Sequence, residues 1–303
     1  MNKSVDKIPV GRFAPSPSGR MHLGNIYAAY NSRKSVKERG GRWILRHEDL
    51  DRQRSRPEYM RLIEEDLLWL GLDWDEGGMA CKGEHGPYLQ SLRDEIYLKA
   101  LTKLIETGMV YPCSCRRADI LAANAPHQSD GRVIYRGACR PEILPDPALT
   151  GKSAETLLEL WKGKSLRLAV PDMDIVWTDK IAGQQRVNLA HDCGDFILRR
   201  ADGGWAYQLA VVVDDGEMGV TEVMRGDDLL LSTAQQIYLQ RLLGYPHPEY
   251  AHLPLLRNEA GQRLSKRDSS LSMEYLRASK SAEEILEMVD YFNPKCLRNQ
   301  REA

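Results

Sequence analysis

No apolar run in the 303 residues approaches the roughly 18 that would cross a bilayer, so no membrane span is expected. The opening MNKSVDKIPV is charged and lacks the apolar middle of a secretion signal. A cytoplasmic protein is predicted, with its six cysteines reduced rather than stapled into a disulfide framework. An excess of one charge is missing too: 42 Lys and Arg stand against 43 Asp and Glu. The bulk balance therefore neither demands nor excludes a polyanionic partner, and local clustering has to decide. Internal repeats and low-complexity segments are also absent. What remains is an ordinary globular composition, 42% hydrophobic and 28% charged, at a length above the usual size of one compact domain. Two domains, or one domain carrying an insertion, are expected.

Along the chain, KIPVGRFA reads as a first strand, and Ile26, Ala29, Tyr30 and Val36 have helical spacing over 25–39, stopped by Gly40 and Gly41. RWILRHEDLD reads as a second strand. Ser55-Arg56-Pro57-Glu58 has the spacing of a capping box, followed by a helix with Met60, Ile63, Leu67 and Leu70 on one face. Such alternation predicts an α/β fold with a parallel sheet covered by helices. A further helix in LRDEIYLKALTKLIETGMVY leads to 112–190, where cysteines cluster, prolines recur and no long periodic element is seen. That region reads as an insertion. Alternation resumes in DFILRRADGGWAYQLAVVVDD, read as a hairpin whose second run, Leu209 to Val213, is a strand buried on both faces. GVTEVMRGDD predicts another strand, Ser232 a helix start, Gly244 its stop, HLPLL a strand and AEEILEMVDYF a closing helix. The division expected is 1–111 and 191–257 for two halves of one domain, 112–190 for the insert, and 258–303 for a polar loop with a helical tail.

Two polar segments carry chemistry. In APSPSGRMHLGN, residues 14–25, prolines set the path, Gly19 and Gly24 let a phosphate approach the backbone, and His22 supplies a donor. The segment follows a strand and opens a helix, where unpaired N–H groups favour anions. Read alone, it also suits a proline-rich surface turn. NEAGQRLSKRD places Arg263, Lys266 and Arg267 in a polar loop able to neutralise a nucleoside triphosphate. Read alone, this is also an ordinary solvated charge cluster.

Together, HLGN and RLSK resemble the two signatures of class I aminoacyl-tRNA synthetases. GRFAPSPSG, RHEDLD, YQLAVVVDD and VMRGDDLLLST are similar to the glutamyl branch, nearly throughout the chain to about residue 270. The resemblance implies a Rossmann-like catalytic domain with an inserted zinc-containing subdomain and a short helical C-terminal piece. Among members of this branch, the short paralogues that load glutamate onto queuosine at the wobble position of tRNA(Asp) fit best. Too few residues follow Lys266 for an anticodon-binding domain, which would let the catalytic cleft itself take an anticodon arm. A shortened glutamyl-tRNA synthetase acting on a 3′ end, and a non-catalytic zinc-containing RNA binder, stay open at this point.

Glutamate has two carboxylates and one ammonium, and so asks for two cations and one anion in its pocket. Arg12, Arg225 and Glu48, each at a predicted strand end, make that set. The resemblance assigns the same three to the amino acid and adds Phe13, Ala14, Pro15, Ser16 and Tyr207. It also assigns His22, Gly24, Asn25 and Lys266 to ATP, which arrives with Mg²⁺, and gives His22 and Lys266 the catalytic role. Cys113, Cys115 and Cys139 form a cluster that suits either free reduced thiols or one structural zinc, and the resemblance implies the zinc. For a fourth ligand, chemistry alone nominates His127, whereas the resemblance implies Tyr135. Two departures from the family pattern are His47, where an aliphatic residue is usual, and Asn25 at the end of the first signature. Arg116, Arg117, Arg132, Arg136 and Arg140 flank the cysteines, a pattern that suits RNA phosphates and equally an ordinary solvated face. A monomer is expected.

Overall fold

The computed structural model describes residues 8–116, 134–256 and 271–293. Strand β1 (Val10–Phe13) ends where the proline-rich turn begins, and it lies parallel to β2 (Arg42–Leu45) after helix α1 (Leu23–Lys37) crosses between them. Gly11 makes that crossover tight, because a Cβ there would sit 2.8 Å from Val36 Cγ1. The chain continues outward through α2 (Pro57–Trp69) to β3 (Glu76–Gly77). Much later it returns on the other side of β1 as β9 (Glu222–Gly226) and β10 (Glu249–Leu253). The hairpin β6 (Asp174–Asp179) and β7 (Gly183–Asn188) completes a seven-stranded sheet of order β3-β2-β1-β9-β10-β6-β7, parallel except for β7. Because connections leave β1 and β9 in opposite directions along the sheet, a crevice opens at the carboxyl ends of those two strands.

Successive strand residues alternate between two cores. Ile44, Val223 and Tyr250 face one buried cluster, while Trp43, Leu45, Met224 and Ala251 face the other. The first lies under α3 (Asp94–Glu106), α5 (Tyr207–Glu217) and α6 (Leu230–Leu243); the second lies under α1, α2 and the pair α7 (Met273–Ser279) and α8 (Ala282–Tyr291). Helix α8 is built by its own sequence: Ser281 and Glu284 close a capping box, and Ile285 and Val289 are fully buried. A smaller antiparallel sheet joins β4 (Val110–Cys113), β5 (Ser165–Leu168) and β8 (Phe196–Arg199), next to helix α4 (Ala154–Leu160). The hairpin 174–188, grouped with the insert by composition, pairs with β10 in the larger sheet. No helix among the described residues is long and apolar enough to cross a membrane.

Three local expectations are corrected. Leu209 to Val213 is not a strand but the middle of α5, and every residue from Gln208 to Asp215 is buried. A short continuous apolar run has no period, so it suits a helix enclosed on all sides as well as a buried strand. The proposed hairpin thus shrinks to β8 and one bridge between Arg199 and Trp205. Ser55 does not cap α2: Arg56 holds the N-cap position without a side-chain bond, and Pro57 alone sets the first turn. Ser232 lies inside α6, which begins at Leu230 after a tight turn over Asp227–Leu229.

Candidate active site

The turn after β1 turns into α1 through a local hydrogen-bond exchange. The Gly24 N–H donates to His22 Nδ1 (3.1 Å), and the His22 N–H donates to Asn25 Oδ1 (3.1 Å). Asn25 therefore serves as a structural cap. With Nδ1 accepting, the neutral His22 ring is the Nε2–H tautomer, which keeps a donor at the helix amino terminus.

A cleft of about 490 Å³ opens at the β1/β9 crevice. Arg12 to Ser16, including Phe13, Ala14 and Pro15, form one stretch of its wall; His22, Gly24 and Asn25 form another. Glu48, Tyr207 and Arg225 line the same cavity. The structure thus brings eleven of those residues to one cavity. Lys266 lies outside the described residues, as does His127. The described positions on either side of that segment reach the site: Leu256 lines the cleft, and Ser272 bridges the His22 backbone.

Behind the cleft lies a charge network that sequence reading missed. Arg46, fully buried, donates from Nη2 to Glu48 (3.1 Å) and from Nη1 to Asp215 (2.7 Å), and its Nε lies 3.5 Å from Asp214. Asp215 also accepts from Arg12 Nε (3.3 Å). Asp214 is gripped by Arg93 (2.7 Å), Gln90 (2.8 Å) and Tyr97 (3.0 Å). These bonds exist because α5 is a helix: its Asp pair lies two turns beyond Tyr207, so Tyr207 reaches the cleft while the carboxylates reach Arg12 and Arg46. Burial pushes the Glu48 carboxyl above its ordinary pKa, against the pull of the Arg46 and Arg12 charges. At Asp215, burial works the same way but the Arg12 and Arg46 guanidinia win, holding its pKa below the ordinary value. Arg225 donates from Nε to His252 Nε2 (3.1 Å) and from Nη2 to Thr233 Oγ1 (3.0 Å). His47 faces away from this set: its Nε2 pairs with Glu64 (2.8 Å) on α2.

The cysteine cluster sits at the end of the smaller sheet. Cys113 closes β4, Cys115 follows, and Cys139 comes after a turn made possible by Gly137 at φ 83°. Their sulfurs all lie within 4.8 Å of one another, with Cys115 and Cys139 at 3.3 Å. The Tyr135 hydroxyl lies 3.4 Å from Cys113 and 3.6 Å from Cys115. A tetrahedral zinc with bonds of about 2.3 Å to sulfur spaces its ligands about 3.8 Å apart, so these four groups fit one ion. Burial disfavours a Cys139 thiolate, but the Ser114 N–H and the neighbouring thiols outweigh it and bring its pKa down to about 7. Of the flanking arginines, Arg140 is engaged within the fold, on the Val170 carbonyl (3.1 Å) and Asp195 (3.4 Å), and Arg136 donates to the Ala190 carbonyl (3.0 Å). Arg117 and Arg132 lie outside the described residues.

Sheet order, crevice and helix-end turn are those of a class I synthetase catalytic fold, and residues 9–292 match the family described as tRNA synthetases class I (E and Q), catalytic domain. The glutamyl-Q tRNA(Asp) synthetase of Symbiobacterium thermophilum is 49% identical over 91% of this chain and 83% of its own. That of Neisseria meningitidis serogroup C is 48% identical over 84% and 79%. The crystal structure of a glutamate tRNA ligase from Elizabethkingia meningosepticum, in complex with its amino acid, superposes with TM-score 0.74 at 34% identity, covering 87% of this chain and 53% of that longer one. The chain belongs to the glutamyl-Q tRNA(Asp) synthetase family.

Proposed function

We propose that the cleft activates L-glutamate with ATP, without tRNA, to glutamyl-adenylate, and that the glutamyl group then passes to queuosine at the wobble position of tRNA(Asp). The observation that carries this reading is the convergence of Arg12, Arg225 and Glu48 on one cavity that also contains the amino terminus of α1. Two guanidinia match two carboxylates, and one carboxylate matches the ammonium. A neutral amino-acid side chain would leave a buried guanidinium without its anion, which selects against it. Phe13, Ala14, Pro15 and Ser16 wall the pocket, and Tyr207 adds a hydroxyl.

In the first step an oxygen of the glutamate α-carboxylate attacks the α-phosphorus of ATP. The bond to the bridging oxygen breaks, and pyrophosphate leaves with the electron pair. No protein nucleophile is involved; the chain orients the reactants and neutralises the charge that spreads in the transition state. His22 at the start of α1 donates to phosphate, Gly24 and Asn25 shape the backbone that the phosphate approaches, Lys266 neutralises charge on the triphosphate, and Mg²⁺ accompanies it. In the second step a hydroxyl of queuosine attacks the activated carbonyl carbon, AMP departs and the hydroxyl proton is released. The names carried by the relatives support tRNA(Asp) as acceptor, and an anticodon arm is the part of it that bears this base.

The test is glutamate-dependent pyrophosphate exchange with no RNA present, followed by transfer of labelled glutamate to tRNA(Asp) with and without queuosine. Exchange without RNA and label confined to queuosine-containing tRNA are expected. Label on a 3′ terminal adenosine would point to a shortened glutamyl-tRNA synthetase, and absence of exchange would leave an RNA-binding relative without this chemistry.

Cys113, Cys115, Tyr135 and Cys139 would hold one zinc ion. A closed four-ligand site supplies structure rather than catalysis, tying the end of β4 to the turn at 135–139. Purified protein should contain about one zinc per chain, and Cys139→Ser should lose most of it together with several degrees of thermal stability. Elemental analysis finding the parent nearly metal-free would remove the zinc from the proposal.

A further inference from the structure

Arg225 is 5% exposed, and its three nitrogens have different fates. Nε is tied to His252 and Nη2 to Thr233, while Nη1 is buried with no hydrogen-bond partner among the described residues. A buried cationic donor left unpaired is costly, and a carboxylate entering the cleft is the group that would satisfy it. The guanidinium can wait in that state only if its other nitrogens are held firmly.

His252 supplies the hold on Nε. It stands directly beside Arg225 in the β9/β10 register, is 1% exposed, and can accept a hydrogen bond on Nε2 only if that nitrogen carries no proton. Asp179 enforces this condition from β6. Its Oδ2 lies 2.5 Å from His252 Nδ1, and its Oδ1 accepts backbone N–H groups from Ile181 (3.0 Å), Ala182 (2.8 Å) and His252 itself (3.1 Å). Burial opposes ionisation of Asp179, but the imidazole and these N–H groups outweigh it and lower its pKa to about 2. A fixed carboxylate at Nδ1 keeps the proton there and turns the Nε2 lone pair toward Arg225. Burial and the Arg225 charge, against the pull of Asp179, hold the His252 pKa below its ordinary value, in keeping with a neutral ring.

We propose that His252, oriented by Asp179, is a positioning residue for amino-acid recognition: it fixes the guanidinium of Arg225 so that its remaining donor meets a carboxylate of the bound amino acid. The inference rests on the reading of Arg225 as a glutamate ligand. It adds a relay from Asp179 on β6 through His252 on β10 to Arg225 on β9, in which neither Asp179 nor His252 touches substrate.

The test compares His252→Phe, which keeps a ring but removes the acceptor, with His252→Gln, whose amide oxygen restores one. In pyrophosphate exchange, His252→Phe should raise the glutamate KM about tenfold while the ATP KM stays within about twofold, and His252→Gln should recover most of the loss. Equal rises in both KM values, or an unchanged glutamate KM, would overturn the proposal. Should His252→Phe fail to fold, the parent protein decides. Nitrogen NMR at neutral pH should show His252 as the neutral Nδ1–H tautomer, and the opposite tautomer or an imidazolium would be fatal. A parent without glutamate-dependent exchange would refute the functional reading, while the tautomer measurement still judges the relay. An Arg225→Ala variant with a normal glutamate KM would remove the assignment of Arg225 and the proposal with it.

Discussion

Arg225→Ala should raise the glutamate KM by about 10²- to 10³-fold, with far less change in the KM for ATP. The size follows from the setting. Removing one partner of a buried charge pair costs about 2–5 kcal/mol, and each 1.4 kcal/mol is a factor of ten, so even the lower part of that range is a large kinetic effect. Two losses combine: the substrate carboxylate loses its cation, and His252 Nε2 and Thr233 Oγ1 lose the donor they share. Arg225→Lys should recover only part of the activity. An ammonium restores the charge but cannot serve His252, Thr233 and a carboxylate at once with the geometry of a planar fork. Glutamate titrations of the three proteins in the exchange assay decide the matter, and a KM for Arg225→Ala within about threefold of the parent would contradict the assigned role.

Arg46→Met should lower the stability of the fold by about 3–5 kcal/mol. The side chain is fully buried and neutralises Glu48, Asp214 and Asp215, so methionine fills the space but leaves three carboxylates competing for Arg12 and Arg93. Burial already pushes Glu48 and Asp214 above their ordinary pKa values. Without Arg46 both should bind protons more readily, so the variant's deficit should shrink as pH falls and these groups become neutral. Urea unfolding at two pH values measures this directly. Adding Asp214→Leu to Arg46→Met should destabilise less than the two single changes summed, because the second removes a charge that the first leaves exposed to burial. A single variant as stable as the parent would show that the network contributes nothing net. Since Glu48 is held by Arg46, and Arg12 by Asp215, folded Arg46→Met protein should also bind glutamate poorly.

The cleft residues were legible because their signals are local. A proline-glycine turn between a strand and a helix needs no partner elsewhere in the chain to be recognised, and Arg12, Glu48 and Arg225 each end a run of β-prone residues. Their meeting follows from topology: in a parallel sheet every strand points its carboxyl end the same way. Helix α5 was misread for the opposite reason. Its five apolar residues carry no period, and only the helices packed around it settle its conformation. That error hid the Asp pair, since a strand would not have set Asp214 and Asp215 two helical turns from Tyr207.

From the sequence alone come the α/β class, the helix-end turn, the charged residues at the strand ends and the cysteine cluster, since each depends on neighbours a few positions away. Tertiary structure alone decided how those charges are held. Arg46 and Asp215 are separated by 169 positions, and Arg225 and Asp179 meet only through His252 on a third strand. A buried hydrogen bond depends on angstrom-scale distance and direction, and these are set by how the sheet and helices pack, which no spacing along the chain records.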